Sequence, residues 1–268
     1  MAELLALAGA DTLLGRELRD SLREHEVSVR LREINSPDDA DFNDASLALL
    51  AASGYSVTAA TGATVVDATG APGPAGSVLR APMVENGAGS DADWQVIAHP
   101  AAIALAIFFK ALEQAGFPAR RAVVTAFEPA SERGKEGVEE MQQQTMSLLA
   151  FKKLPQRIFD TQAVFNLLPR YGDDARTPLD TIEARLTGHL EALFARAGLK
   201  TALPSLRLVH APVFHGHAFS VWAEFDRPVA PDELERALAQ DLIDVRSNDL
   251  EPPTNTGVAQ QAGIQVGA

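Results

Sequence analysis

The feature that most constrains the fold is a short apolar run that ends in His99-Pro100 and leads at once into a helix-like block, residues 101–115. This order predicts a buried strand, a tight turn and a helix that begins at the turn. The first N–H groups of such a helix, and the positive end of its dipole, suit a nucleophile or an oxyanion. Its first turn carries Ala101 and Ala102, whose side chains can neither attack a substrate nor form hydrogen bonds. The pattern therefore predicts a site of catalytic type that lacks its reactive side chain.

The first hundred residues alternate between strand and helix patterns. Residues 4–8 have the composition of a fully buried strand, and residues 13–23 have the spacing of an amphipathic helix. Three further strands are predicted at residues 27–33, 47–51 and 64–67. Strands that alternate with helices at this spacing are typical of a parallel, doubly wound α/β sheet of Rossmann type.

The pattern changes after residue 116 and indicates an α+β arrangement. The predicted elements are a strand at 121–127, helices at 131–152, 178–198 and 231–240, long strands at 206–214 and 217–225, and a weak strand at 264–266. The two long strands would form a hairpin about His215-Gly216, or one strand bent there. Residues 68–90 are rich in glycine, proline and alanine, which predicts irregular structure before this part begins.

These patterns divide the chain into two predicted domains. Residues 1–100 form the Rossmann-like domain of nucleotide-binding type, and residues 101–245 form the α+β domain. The tail, residues 246–268, is rich in proline, threonine, glycine and glutamine and is expected to join the first domain.

Composition excludes several classes of function. The formal net charge of -13 argues against nucleic acid or an anionic membrane as the main partner. The absence of cysteine excludes disulfides, thiolate metal sites and a cysteine nucleophile. The longest later apolar block, residues 98–109, is too short to cross a bilayer, and the apolar start has no basic segment before it. We therefore expect a cytoplasmic protein without a membrane partner.

The turn after the first strand occupies the place of a dinucleotide-binding loop. Its pattern would require glycine at positions 9, 12 and 15, and the chain has Gly9, Thr12 and Gly15. A β-branched residue at the middle position crowds the pyrophosphate, and Asp11 adds a negative charge beside it. The loop either retains a weakened cofactor site or keeps its two glycines for packing alone.

Several segments, in order along the chain, resemble aspartate-semialdehyde dehydrogenase. They are residues 7–10, 15–18, 65–67, 96–100, 125–138, 165–169 and 211–217. Together they extend over most of the chain, and the nearest branch resembles the Usg-like homologues, whose members have lost parts of the active site. The resemblance implies an NADP-dependent dehydrogenase fold with a C-terminal dimerisation domain, acting on an acyl phosphate and an aldehyde.

Matched position by position, the resemblance implies a degenerate active site. The family's nucleophilic cysteine falls at Ala102, its active-site glutamine at Glu128 and its substrate-binding arginine at His210, while its histidine is retained as His217. Covalent chemistry of the family's kind requires a thiolate, which alanine cannot supply.

The cofactor contacts implied by the resemblance are also altered. The family's Ser-Gly-Ala-Gly segment is Ser131-Glu132-Arg133-Gly134 in this chain. The resemblance implies that relatives continue beyond the equivalent of residue 268 into a helix that completes the nicotinamide pocket, and that the segment between the second strand and Val65 is short by the family's standard. The resemblance therefore implies a truncated nucleotide-binding-type domain, with no cofactor as the main expectation and NADP as the possible one.

Two hypotheses about function follow. The first is a pseudoenzyme that forms a homodimer, has a structural or regulatory role, and recruits a further protein partner. The second is an oxidoreductase-like protein with residual NAD(P) binding or with altered, metal-assisted chemistry at His217. Three imidazoles, from His99, His210 and His217, together with the carboxylate of Glu128, would make a zinc-type ligand set, although they have no local metal-binding spacing.

Overall fold

The computed structural model describes residues 3–57, 62–85, 92–247, 251–259 and 261–267. The chain divides into two compact units, Met1–Ala98 and His99–Ala268. Within the described ranges, no helix is both long and apolar enough to cross a membrane.

In the part of the first unit that the structure describes, a six-stranded sheet is present, with a helix after its first strand. The strands, all paired in parallel, lie in the order β2-β1-β3-β4-β6-β5. The elements are β1 (Leu4–Ala8), α1 (Leu13–Glu24), β2 (Arg30–Ile34), β3 (Leu47–Leu50), β4 (Thr64–Asp67), β5 (Val78–Arg80) and β6 (Trp94–Ile97). This topology confirms the predicted Rossmann-like sheet, and β5 lies where irregular structure was expected.

Both faces of the first strand are buried, as its continuous apolar run predicts. Leu5 and Leu7 pack into one hydrophobic cluster, against which Leu18 of α1 packs. Ala6 and Ala8 belong to a cluster on the opposite face. Central strands of a doubly wound sheet need apolar side chains on both faces, which explains why no polar alternation is present.

Among its described residues, the second unit combines a three-stranded sheet, a two-stranded sheet and four helices. Its elements are α2 (Pro100–Gln114), β7 (Arg121–Glu128), α3 (Gly134–Leu149), α4 (Leu179–Ala197), β8 (Ser205–His210), β9 (Ala218–Glu224), α5 (Pro231–Leu238), β10 (Ile243–Arg246) and β11 (Ile264–Gly267). In the larger sheet β7 is central, with β8 parallel on one side and β9 antiparallel on the other. Helices α2 and α4 pack together, with the rings of Phe109 and Phe194 5.7 Å apart.

Strand pairing differs from the sequence prediction in this sheet. The expected hairpin is wrong, because β8 and β9 lie on opposite sides of β7 and do not pair with each other. The segment that connects β8 and β9 forms hydrogen bonds with the residues that follow β7. The carbonyls of Val213 and Phe214 accept the N–H groups of Ala130 and Ser131, both at 2.9 Å. β7 is paired on both of its edges, and the local pattern of residues 206–225 does not encode that arrangement.

The tail lies in the second unit, where β11 pairs in parallel with β10. The prediction that the tail joins the first domain differs from this arrangement, because the partner strand, Ile243–Arg246, was not recognised in the sequence. The helix predicted from residue 131 also begins later, at Gly134, since residues Ala130–Arg133 form a 3-10 turn.

A long segment without regular secondary structure between α3 and α4 is held by two buried side chains of α3. The carboxylate of Glu140 accepts the N–H groups of Arg157, Ile158 and Phe159 at 2.6, 2.8 and 3.2 Å. Gln144 accepts the Ala163 N–H at 2.8 Å and donates to two carbonyls of the same segment. Buried backbone groups need partners, and these two residues supply them where no strand or helix does.

Candidate functional site

The start of α2 has the geometry that the sequence predicts. His99 caps the helix, with its Nδ1 accepting the N–H of Ala101 at 3.2 Å, and Pro100 occupies the first helical position. The backbone N–H of His99 donates to Nδ1 of His189 at 2.9 Å. Ala101 and Ala102 are fully buried. The position that the resemblance assigns to a nucleophile therefore carries an inert methyl group.

Glu132 lies between two histidines that come from distant parts of the chain. Its Oε2 is 3.6 Å from Nε2 of His99, and its Oε1 is 3.7 Å from Nε2 of His217. The two imidazole rings are 5.6 Å apart in an edge-on arrangement. All three side chains are mostly buried, with exposed fractions of 2%, 17% and 12% for His99, Glu132 and His217. We call these three residues the His-Glu-His cluster.

A second group of buried polar side chains adjoins this cluster. Arg133 Nη2 donates to Glu128 Oε1 at 2.7 Å. Tyr171 donates to the same oxygen at 3.3 Å, and its hydroxyl is 3.1 Å from Nδ1 of His210. Arg133 also reaches Glu132, at 3.9 Å. Glu128 and His210 are fully buried at the ends of adjacent strands β7 and β8.

The electrostatics of the His-Glu-His cluster favour an ionised carboxylate beside a neutral His217. Burial alone would raise the pKa of Glu132, but the neighbouring His99, His217 and Arg133 outweigh it and lower the pKa to about 2. Burial lowers the pKa of His217 to about 4, although the Glu132 charge opposes this. At neutral pH the Glu132 carboxylate is therefore ionised and the His217 imidazole is neutral.

Burial is the main cause of the pKa shifts in the adjoining group of side chains. Burial raises the pKa of Glu128, with the Arg133 guanidinium opposing the rise. Burial also raises the pKa of Tyr171, which stays a neutral donor. The pKa of His210 falls to about 4 through burial and the nearby Arg133. The pKa of His189 also falls to about 4, through burial and the nearby His99.

Several polar atoms at these positions lack partners. Across the described part of the chain, the buried atoms without a hydrogen-bond partner include Nε2 of His99, Nε2 of His217, Oε2 of Glu128 and Nε of Arg133. Buried polar atoms are normally satisfied, so a concentration of unsatisfied atoms marks a place where a ligand, ion or water belongs.

The structure brings together part of the ligand set suggested by the sequence. His99 and His217 come together, but the carboxylate between them belongs to Glu132 and not to Glu128. His210 bonds to Tyr171 instead of joining them. Glu132 was missed because residues 99, 132 and 217 come from three separate elements with no common spacing. The only sequence signal was its charged side chain in a segment where the resemblance implies glycine.

The predicted cofactor-contacting residues lie in both units. In the first unit the hydroxyl of Thr12 donates to the Gly9 carbonyl at 2.7 Å and accepts the Gly15 N–H at 3.0 Å. A Cβ on Gly9 would lie 2.6 Å from Ala52 Cβ, and one on Gly15 would lie 2.1 Å from the Gly9 carbonyl oxygen. Both glycines are therefore needed for packing, whether or not a cofactor binds.

In the second unit Ser131 lies within the 3-10 turn and Gly134 directly follows it. The Ser131 N–H donates to the Phe214 carbonyl at 2.9 Å. Gly134 has a φ of 64°, a backbone conformation that suits glycine, and nothing lies within 4 Å of the position of a Cβ there. A role for either residue in binding a cofactor stays a prediction.

Comparison with known proteins finds aspartate-semialdehyde dehydrogenases and USG-1 protein homologs among the relatives of this chain. An aspartate-semialdehyde dehydrogenase of Rickettsia bellii is 32% identical over 145 residues, 53% of this chain and 41% of that protein. A USG-1 protein homolog of Azotobacter vinelandii is 35% identical over 125 residues, 45% of this chain and 36% of that protein. The matched segments thus span less than half the length of these curated relatives.

Solved structures and a family profile extend the comparison. The structure of a probable aspartate-semialdehyde dehydrogenase from Pseudomonas aeruginosa has a TM-score of 0.81 at 26% identity, covering 100% of this chain and 88% of that chain. Residues 109–268 match the family profile described as semialdehyde dehydrogenase, dimerisation domain. Because this match extends over more than half of the 268 residues, the protein belongs to the semialdehyde dehydrogenase family and carries its dimerisation domain.

Proposed function

We propose that the protein is a catalytically degenerate member of its family, a homodimer with a structural or regulatory role. The observation that carries this proposal is the buried Ala102 at the position matching the family's nucleophilic cysteine. The related enzymes of Rickettsia are described as aspartate-semialdehyde dehydrogenases. Chemistry of that kind proceeds through a covalent intermediate, and no side chain in the first turn of α2 can form one.

The site's own side chains support the proposal. Glu132 and Arg133 stand where the resemblance implies glycine and alanine, and both side chains turn inward among buried groups. Arg133 forms an ion pair with Glu128, which replaces the family's glutamine, and Tyr171 bridges Glu128 to His210, which replaces its arginine. The substituted side chains complement one another in charge and hydrogen bonding. Because they bind to each other, they are not free to bind a substrate.

The loop after β1 agrees with weak or absent cofactor binding. An aspartate semialdehyde dehydrogenase from Candida albicans was solved with NADP and has a TM-score of 0.55 to this chain, at 14% identity. In the present chain the Thr12 hydroxyl already accepts the Gly15 N–H, one of the donors at the start of α1. An anion at that helix start would have to compete with this bond. Residual NADP binding remains the second candidate function, and Gly9 and Gly15, which match two of the three glycines of the dinucleotide-binding pattern, favour it.

The open face of the β8-β7-β9 sheet supports a homodimer. Residues of β7 alternate in exposure, so that one face is buried and the other is open. Val123 and Trp222 are opposite each other in the register of β7 and β9, and they are 50% and 57% exposed. Apolar side chains adjacent on an open sheet are typical of an interface, and a second copy of this chain is the occupant that a dimerisation domain implies.

Substituting Trp222 tests the dimer. In a two-fold interface Trp222→Arg places two buried charges, so we expect the dimer dissociation constant to rise about 100-fold. Light scattering after size-exclusion chromatography, at several protein concentrations, measures the change. Leu14→Arg, on the exposed side of α1 in the first unit, is the control and should leave the dimer intact. A wild-type monomer at tens of micromolar, or an unchanged dimer in Trp222→Arg, would contradict this assembly.

Turnover tests the catalytic half of the proposal. With aspartate semialdehyde, NADP and phosphate supplied together, we expect no formation of NADPH by the purified protein. The expected loss relative to an active family member is at least about 10⁴-fold, since removing a catalytic nucleophile has effects of this size or larger.

A further inference from the structure

We propose that the His-Glu-His cluster of His99, Glu132 and His217 binds a divalent transition-metal ion of the zinc class. One ligand atom from each residue lies within 4.8 Å of the others, although the residues come from three separate parts of the second unit. This inference goes beyond the proposed function and does not depend on it, because a metal can bind whether or not the protein is catalytically active.

The distances within the cluster are close to those of a coordination sphere. Zinc binds histidine nitrogen and carboxylate oxygen at about 2.0–2.2 Å, so two ligand atoms of a tetrahedral site are about 3.3–3.5 Å apart. The carboxylate of Glu132 lies 3.6 Å from His99 Nε2 and 3.7 Å from His217 Nε2. Both separations are too long for good hydrogen bonds. Each histidine faces a different oxygen of Glu132, and the three ligand atoms lie within 4.8 Å of one another. Side-chain adjustments of about 1 Å would bring all three to the spacing of zinc ligands.

The unsatisfied atoms point to the same place. Nε2 of His99 and Nε2 of His217 are buried and have no hydrogen-bond partner within the described ranges. Both face the carboxylate of Glu132. A cation between the three side chains would give each of these nitrogens a partner, which the protein's own groups do not do.

Charge in the region also favours a cation. The guanidinium of Arg133 is 2.7 Å from Glu128 and 3.9 Å from Glu132, so it forms its closer ion pair with Glu128. The Glu132 carboxylate is therefore the less closely paired of the two. A divalent ion at the cluster would pair with this buried carboxylate directly, and buried charges require such compensation.

Three different elements of the backbone position the three ligand side chains. His99 caps α2, Glu132 is in the 3-10 turn whose Ser131 N–H is bound to the Phe214 carbonyl, and His217 precedes β9. In the metal-free protein Nδ1 of His99 accepts the Ala101 N–H, which leaves the ring N–H on Nε2. Metal binding at Nε2 moves that proton to Nδ1, so the helix-cap bond from the Ala101 N–H is lost. This cost is small beside the free energy of zinc coordination.

Two histidines and one carboxylate leave coordination positions open. Catalytic zinc sites have three protein ligands and a further position for water or substrate, whereas structural zinc sites are closed by four protein ligands. The cluster therefore corresponds to an open site, and the ligand at the remaining position is a water molecule or a small anion.

Cobalt titration of the full-length protein, stripped of metal with a chelator, tests the proposal. Co²⁺ is the probe because its visible spectrum reports coordination by nitrogen and oxygen ligands, and zinc competition then gives the zinc affinity. We expect one Co²⁺ per chain, displaced by one Zn²⁺, with a zinc dissociation constant of about 1 μM or below.

Matched variants locate the ion. Glu132→Gln and His217→Gln should each weaken binding by about 100-fold, and His215→Gln, an exposed histidine two residues from the cluster, should leave it unchanged. Thermal unfolding of each metal-free variant shows which of them is folded, and either cluster variant alone suffices for the comparison. No binding at millimolar Co²⁺, or binding that both cluster variants retain, would overturn the proposal.

Discussion

Arg133→Ala is expected to lower the free energy of unfolding by about 3–5 kcal/mol, and adding Glu128→Gln to it should recover most of that loss. The Arg133 side chain is 9% exposed and Glu128 is fully buried, with 2.7 Å between Nη2 and Oε1. Removing one partner of a buried ion pair leaves the other charge without compensation, which costs about this much. The double variant removes both charges and restores the residues that the resemblance implies at these positions.

Urea unfolding of the wild-type, the two single variants and the double variant measures this coupling. We expect an interaction term of at least about 2 kcal/mol between the two positions. The control pair is Glu136 and Arg176, whose side chains are 60% and 58% exposed. Arg176→Ala should cost no more than about 1 kcal/mol, because exposed ion pairs contribute little. Additive effects at positions 128 and 133 would contradict the conclusion that the two substitutions compensate each other.

The second large effect is expected at Glu140, which supports the segment between α3 and α4. Glu140→Ala would leave the backbone N–H groups of residues 157–159 without their acceptor, and those of Ile158 and Phe159 are buried. Each unsatisfied buried donor costs about 1–3 kcal/mol. Allowing for partial relaxation, we expect a loss of about 3–5 kcal/mol in the free energy of unfolding.

The neighbouring Glu139 provides the matched control. It is exposed and forms a pair with Lys135 one helical turn away, at 3.5 Å. Glu139→Ala should change stability by no more than about 0.5 kcal/mol. Thermal and urea unfolding monitored by circular dichroism compare the two variants. Similar small effects for both would mean that the segment finds other partners and that Glu140 does not hold it.

The parts of the fold that the sequence predicts are those encoded by local pattern. The helix after His99-Pro100 begins where proline and the apolar block indicate, and α4 ends before Gly198, which has a φ of 68°. The parallel sheet of the first unit follows from buried strands that alternate with helical or irregular segments. Such elements are determined mainly by neighbours in sequence.

Long-range pairing could not be predicted in the same way. The choice of β7 as the common neighbour of β8 and β9 depends on residues about 80 to 100 positions apart, and the pairing of the tail with β10 depends on a strand of only four residues. The 3-10 turn at Ala130–Arg133 shortens a continuous helical pattern because Gly134 takes a left-handed conformation. Local periodicity carries no signal for any of these features.

The candidate site also combines residues that the sequence identifies with residues that only the three-dimensional structure reveals. Ala102, Glu128, His210 and His217 were identified by matching positions to a family, and the structure places Glu128 and His210 on adjacent strands joined through Tyr171. Tyr171 belongs to the irregular segment held by Glu140, and Glu132 lies in the unexpected turn. Their involvement depends on three-dimensional packing that residue spacing does not reveal.

The measurement that tests catalytic degeneracy most directly is NADPH formation from aspartate semialdehyde, NADP and phosphate at high protein concentration. The Rickettsia bellii aspartate-semialdehyde dehydrogenase is the positive control. No rate above the blank is expected for the wild-type, or for Ala102→Cys alone, because Glu132 and Arg133 would still fill the site. A rate that scales with protein concentration and disappears in His217→Gln would show that the site is active, and would contradict the assignment of this chain as a non-catalytic family member.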